Sequence, residues 1–236
     1  MLIEGRNAVE QILNSDATIE KIYIQRDMQS RDLINKIKNS GHPYQFMEKT
    51  AMDRISKQKN HQGFMAIATQ FKYHSLEDIL KKARPEPLIL ILDGVEDPHN
   101  FGNIIRTAEC MGVDGIIIPK NRAVQVTDTV IRVSAGAASH MKIYKATNIN
   151  QEIEKLKEKG FWIYAAVMGG VNVANTNMKG PVAIVMGGEN TGVKHLTTKL
   201  CDATISIPMT GKTTSLNVGN ATAMILYEIN RQRTKK

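Results

Sequence analysis

Cysteine is nearly missing from this chain: Cys110 and Cys201 stand alone, without CxxC spacing or a partner pattern. A disulfide framework and a cysteine-ligated metal cluster are thereby excluded, and both thiols are expected to be reduced, as in the cytoplasm. Long apolar runs are missing too. No eighteen consecutive apolar residues occur, and the N-terminal MLIEGRNAVEQIL is amphipathic and interrupted by acid, so neither a membrane span nor a signal peptide is expected. Acidic residues are in deficit, 23 Asp and Glu against 31 Lys and Arg, which leaves a formal charge of +8. A polyanionic partner follows, RNA or DNA ahead of an anionic membrane, because no basic amphipathic anchor is visible. Two nucleotide signatures are also absent. The glycines of Gly187-Gly188-Glu189-Asn190-Thr191-Gly192 have the wrong spacing for a dinucleotide loop. Gly211-Lys212-Thr213 lacks the P-loop glycine five residues upstream, where Ser206 stands.

What is present is an α/β alternation over 236 residues, enough for one or two domains with real cores. Residues 1–71 read as a compact α/β module. Glu4–Leu13 has a helical apolar face, and Ile19–Gln25 has strand period. Ser30 opens a helix through Leu33, Ile34 and Ile37, which Gly41 stops. Tyr44–Met47 is a short strand, Thr50 with Asp53 resembles a capping box for a helix through Ile55, and Gly63–Phe71 reads as a core strand. The module is punctuated by Arg6, Lys21, Arg26, Arg31, Lys36, Lys38, Arg54, Lys57, Lys59 and His61 but has no nucleophile–base pair, so its expected work is binding. Residues 72–87, a short helical SLEDILKKA and then Arg84-Pro85-Glu86-Pro87, read as a linker, and 88–236 as a second domain.

Six bursts in that second domain suit buried parallel strands: Leu88–Leu92, Gly115–Pro119, Lys142–Lys145, Phe161–Val167, Val182–Met186 and Ile205–Ile207. They predict a Rossmann-like open sheet. Three run into polar or glycine-rich loops. Asp93–Asn103 leads to a helix from Ile104, with Arg106 about one turn in. Gly187–Gly192 carries Glu189, and Pro208–Ser215 ends in Ser215-Leu216-Asn217 at the head of a long helix. Loops side by side at strand ends make a pocket. Taken singly, Asn100 and Asn103 are ordinary turn and cap formers, and Arg106 has Asp93 and Glu96 as ion-pair candidates.

Taken together and in this order, LDGVEDPHNFGNIIRTAECMG (92–112), IVMGGENTG (184–192) and ISIPMTGKTTSLNVGNATAMILYE (205–228) resemble the three motifs of the SpoU family. These are the TrmH/RlmB-type RNA 2′-O-ribose methyltransferases of the SPOUT class. The N-terminal module is similar to the L30e-like RNA-binding domain of RlmB-type members, so the resemblance covers the whole chain. It implies a C-terminal Rossmann-like sheet threaded into a deep trefoil knot, S-adenosylmethionine as cofactor with no metal, and a homodimer whose active sites draw on both subunits. It also implies 2′-O-methylation of a guanosine in 23S rRNA, with tRNA or another rRNA nucleotide as alternative targets. The alternative of a different class is a non-catalytic RNA-binding protein.

By motif position the resemblance gives catalytic roles to Asn100, Arg106, Glu189, Ser215 and Asn217, and cofactor contacts to Gly187, Ile207 and Leu216. Arg106 is the family's proposed base. A guanidinium gives up its proton only reluctantly, so a phosphate clamp that stabilises a developing alkoxide is the physically easier role. Glu189 is a candidate to hold Arg106 or the loop in place. One departure is Gly219-Asn220-Ala221, where many members have Ser-Val-Ala.

Overall fold

The computed structural model describes residues 2–14, 17–56, 60–69, 71–81, 84–189 and 191–234. They form two units, Met1–Lys72 with Gln125–Asp128, and Tyr73–Val124 with Thr129–Lys236.

The first unit holds a four-stranded mixed sheet of β1 (Leu2–Glu4), β2 (Thr18–Gln25), β3 (Tyr44–Met47) and β4 (Phe64–Thr69), in the order β1-β4-β2-β3. Its helices are α1 (Arg6–Leu13), α2 (Arg31–Asn39) and α3 (Lys49–Ile55). The register Ile22↔Ala66 and Ile24↔Phe64 puts these side chains on one face, where Val9, Leu33 and Ile37 cover them. Each large apolar side chain so buried contributes about 1.5–3 kcal/mol. Two local expectations change. Residues 2–4 are a strand, and the helix starts only after Gly5, whose φ of 104° breaks the chain direction. Thr50 is not a cap: α3 starts at Lys49, and Asp53 instead accepts a 2.9 Å bond from His61 Nε2. The Gly63 amide donates to His61 Nδ1, which leaves the ring proton on Nε2 for that carboxylate. Lys57 and Lys59 lie outside the described residues.

In the second unit, α4 (Leu76–Leu80) is opened by a capping box between Ser75 and Asp78, and its Leu76 and Ile79 are buried. Then come β5 (Leu88–Asp93), α5 (Pro98–Cys110), β6 (Gly115–Pro119), α6 (Asp128–Val133), β7 (Ile143–Ala146) and α7 (Ile149–Glu158). The chain closes with β8 (Trp162–Asn172), β9 (Val182–Gly187), α8 (His195–Leu200), β10 (Ala203–Ser206) and α9 (Val218–Thr234). The six strands form one parallel sheet in the order β10-β8-β9-β5-β6-β7. β5 is buried along its whole length, as its unbroken apolar run requires of a strand covered on both faces. Ile89 and Ile91 pack with Leu76, Ile79, Ile153 and Leu156 on one side.

Three details shape the site. α5 begins at Pro98 rather than Ile104, because the Asp97 side chain accepts the His99 amide at 2.8 Å and proline presets the first helical φ. Asn100 and Asn103 are therefore helical residues, and Arg106 lies more than two turns in. β9 lies between β8 and β5, so the loops leaving β5 and β9 start side by side, with Asp93 opposite Gly187. Finally, β8 outruns its partner. β10 pairs with Tyr164 and Ala165 and then, after a register shift, with Val171 and Asn172, so residues 166–170 bow out of the ladder. Gly170 permits the return, since a Cβ there would lie 2.8 Å from the Ile205 backbone.

Candidate active site

At the carboxyl ends of β8, β9 and β10 lies a cavity of about 980 Å³. The bow of β8 supplies Val167 and Met168, and the loop after β9 supplies Gly187, Gly188, Glu189 and Thr191. The stretch after β10 supplies Ile207, Pro208 and Met209, and the approach to α9 supplies Ser215, Leu216 and Asn217, with Ala221 and Ile225 behind them. Six of the eight residues singled out in the sequence thus line one space. The bowed segment of β8 was not among them; Met168-Gly169-Gly170, small and flexible after an apolar strand, was its only signal.

Glycine is required at the wall. A Cβ on Gly187 would sit 1.9 Å from the Gly192 carbonyl carbon and 2.1 Å from the Val193 nitrogen, and one on Gly188 would sit 2.2 Å from the Gly94 oxygen. Backbone cannot give way as a side-chain tip can, so the loop lies flat on the strand ends. A 2.9 Å bond from the Gly192 amide to the Gly188 oxygen closes it.

Asn100 does not line the cavity but joins its rim through a directional chain of hydrogen bonds. Asn217 caps α9, its Oδ1 accepting from the Gly219 amide at 2.9 Å and the Asn220 amide at 3.4 Å. That fixes its Nδ2 toward Asn100 Oδ1, at 2.9 Å. The remaining side of Asn100, its Nδ2, donates to Glu189 Oε1 at 2.6 Å. Each amide orientation follows from the one before, and the last member must be an acceptor, which Glu189 supplies. The three motifs are tied to one another in this way. Gly219 has a local reason as well, since a Cβ there would come within 3.1 Å of Asn217 Oδ1.

The ion-pair candidates for Arg106 are otherwise engaged or silent. Asp93 pairs with Lys194 Nζ at 2.6 Å, and Glu189 is held by Asn100. Arg106 is exposed, lies outside the cavity lining, and has no hydrogen-bond or ion-pair partner among the described residues. Ser215 is exposed at the mouth. Asn190 lies outside the described residues. Among those that are described, no three His, Cys, Asp or Glu side chains are grouped to hold a metal ion, and no helix is long and apolar enough to cross a membrane. Cys110 and Cys201 are both free; burial and the neighbouring Asp202 push the Cys201 thiol up to about 11.

Comparison with known proteins gives this geometry its relatives. Residues 87–227 match the model of the SpoU rRNA Methylase family, and residues 2–74 match that of the RNA 2′-O ribose methyltransferase substrate-binding domain. An uncharacterized tRNA/rRNA methyltransferase of Synechocystis sp. is 38% identical over 98% of this chain, which spans 62% of that protein's length. YacO of Bacillus subtilis, named for the TrmH family of tRNA/rRNA methyltransferases, is 36% identical over 97% of this chain and 94% of its own. Among solved structures, an rRNA methyltransferase from Sinorhizobium meliloti with AdoMet bound superposes with a TM-score of 0.65 at 26% identity, covering 99% of this chain and 88% of that one. The SpoU methyltransferase AviRb from Streptomyces viridochromogenes, also with AdoMet, shares the fold with a TM-score of 0.65 at 21% identity, over 99% and 90% of the two chains. With its two units matched in order and its three motifs gathered at one cavity, the chain belongs to the SpoU rRNA methylase family.

Proposed function

We propose that this protein is an RNA 2′-O-ribose methyltransferase that binds S-adenosylmethionine in the cavity at the ends of β8, β9 and β10, and that its target is a guanosine of 23S rRNA. The chain would be threaded there in the family's trefoil knot. The observation that carries the reading is the convergence of three loops on one glycine-walled cavity, tied together by the Asn217–Asn100–Glu189 chain. The residues fit the cofactor. Side-chain-free backbone at Gly187 and Gly188 lets an extended ligand lie against the strand ends, and Ile207, Leu216 and Ile225 offer an apolar surface for a purine. When bound, S-adenosylmethionine supplies an activated methyl group and its own leaving group, so the protein needs no metal.

What the chain must add is alignment and charge. Glu189, anchored at Oε1, keeps its second oxygen for the ligand or the ribose. Ser215, at the mouth, orients the 2′-hydroxyl, and Asn100 and Asn217 hold the three loops in register. Arg106 grips an RNA phosphate and stabilises the developing alkoxide, whose proton passes to solvent as the methyl is taken up. Since Arg106 does not line the cavity of its own chain, we place it at that of a second copy in a homodimer. The exposed Met224 and Tyr227 on α9, the helix that packs against α5, give such a dimer an apolar face. The first unit, with its surplus of lysine and arginine, binds the RNA.

The test is transfer of label from S-adenosylmethionine to protein-free 23S rRNA and, separately, to bulk tRNA, both from cells lacking this protein, with the modified nucleotide mapped. One 2′-O-methylguanosine in 23S rRNA is expected. Label in tRNA alone would keep the chemistry and refute the target. Binding of cofactor and RNA without transfer, on free or assembled RNA, would favour a non-catalytic RNA-binding protein.

A further inference from the structure

We infer that Asp93 is a positioning residue for the cavity: a buried carboxylate that acts through Lys194 to hold the loop after β9 in its ligand-ready form. This rests on the cofactor reading above. Asp93 ends β5, is 1% exposed, and lies opposite Gly187 in the sheet register. Its Oδ1 receives Lys194 Nζ at 2.6 Å. Its Oδ2 receives the Thr197 hydroxyl at 2.9 Å and the Lys194 amide at 3.3 Å. Burying a carboxylate is costly unless it is paired and hydrogen-bonded, and here both oxygens are engaged.

All three donors come from one place, the head of α8, where the loop ends. A residue of β5 thus closes a loop that belongs to the neighbouring strand. The loop's other end is fixed by sterics, with Gly188 pressed on the Gly94 oxygen and Gly187 under the Gly192–Val193 peptide. Between these two anchors lie Glu189, Thr191, Gly192 and Val193, which wall the cavity. Asp93 itself does not line it. Loosening the far anchor therefore leaves every cavity residue in place chemically but lets the wall move, and affinity for the ligand falls as the competent form becomes less populated.

The experiment titrates S-adenosylmethionine by calorimetry into the full chain and its Lys194→Met, Lys194→Arg, Asp93→Asn and Asp93→Asn/Lys194→Met variants, with a melting midpoint for each. The Lys194 side chain is 60% exposed, and Lys194→Arg and the double variant leave no buried carboxylate without its cation, so they keep the test apart from loss of the fold. Lys194→Met is expected to weaken binding about fivefold and Asp93→Asn about tenfold, with Lys194→Arg within about twofold of wild type. The double variant is expected to bind no worse than Asp93→Asn, since the two residues act as a pair. Lowered melting midpoints with unchanged affinity would make Asp93 a brace of the fold only and overturn the inference. A wild-type chain that does not bind S-adenosylmethionine would overturn the cofactor reading, and the role of Asp93 with it.

Discussion

Replacing Asn217 separates the part of its work that holds a helix from the part that holds the site. Its oxygen caps α9 and its amide donates to Asn100. In Asn217→Ala both are lost. A cap is worth about 1 kcal/mol and an inter-loop hydrogen bond about 1 kcal/mol, for a total of about 2 kcal/mol. At about 2–4 °C per kcal/mol for a unit of this size, the C-terminal unit should melt about 4–8 °C lower. Asn217→Asp behaves differently. It keeps the capping oxygen and adds a negative charge at a helix N-terminus, which is favourable by about 0.3–1 kcal/mol, so its midpoint should stay within about 3 °C of wild type.

The aspartate has no donor, however. Asn100 must turn its amide to meet it, and its oxygen then faces the Glu189 carboxylate, which has no proton to offer. The link to Glu189 is broken although the helix is intact. Losing a hydrogen bond to a charged group at about 1.5–3 kcal/mol corresponds to a fall in turnover of about 10- to 100-fold. Asn100→Ala, which removes the same link from a residue outside the cavity lining, should lose activity by a similar factor. Calorimetric melting and initial rates of methyl transfer read the two effects apart. Wild-type turnover by Asn217→Asp, or full activity in Asn100→Ala, would show that the link to Glu189 does not support catalysis.

Three further outcomes follow from the same geometry. Gly187→Ala drives a methyl group into the Gly192–Val193 backbone, which has no room to yield; it should abolish measurable S-adenosylmethionine binding and destabilise the unit by about 3 kcal/mol or more, checked by calorimetry and thermal melting. Arg106→Ala should abolish turnover while S-adenosylmethionine affinity stays within about twofold, because Arg106 does not line the cavity of its own chain and its proposed partner is an RNA phosphate. With its thiol pushed up to about 11, Cys201 is almost wholly protonated at pH 8, and the thiolate is the reactive form; a disulfide reagent should therefore titrate only the exposed Cys110 in the native protein and both in denaturant, with the Cys201 reaction in the native protein accelerating as pH rises toward 11.

The six-strand parallel sheet was legible because each strand is an apolar burst that closes on a turn residue, and burial on both faces leaves little else for Leu88–Leu92 or Val182–Met186 to be. The site's loops were legible for the same reason, since they begin where the bursts stop. What escaped has a physical cause in each case. Asp97-Pro98 reads as a turn until the Asp97 side chain is seen to cap the His99 amide, so α5 was expected six residues late. β1 is three residues long and takes its strand form from β4, a partner more than sixty residues away. The last residues of β8 are ordered by Ile205 and Ser206 across a register shift, which no local pattern encodes. By spacing, Asp93 has Arg106 on the next element as its nearest candidate; its partner, Lys194, is 101 positions along the chain and is brought near only because β9 inserts beside β5. Pairings set by strand order are invisible to spacing.

In the proposed reaction this cavity delivers a methyl group from S-adenosylmethionine to a ribose oxygen of RNA. The most direct measurement digests RNA methylated by the purified protein with a ribonuclease that needs a free 2′-hydroxyl, and separates the labelled products. Label confined to a cleavage-resistant dinucleotide, and lost when Arg106 is replaced by alanine, is the predicted result. Label released as a base-methylated mononucleotide, or retained in full by the Arg106→Ala variant, would contradict it.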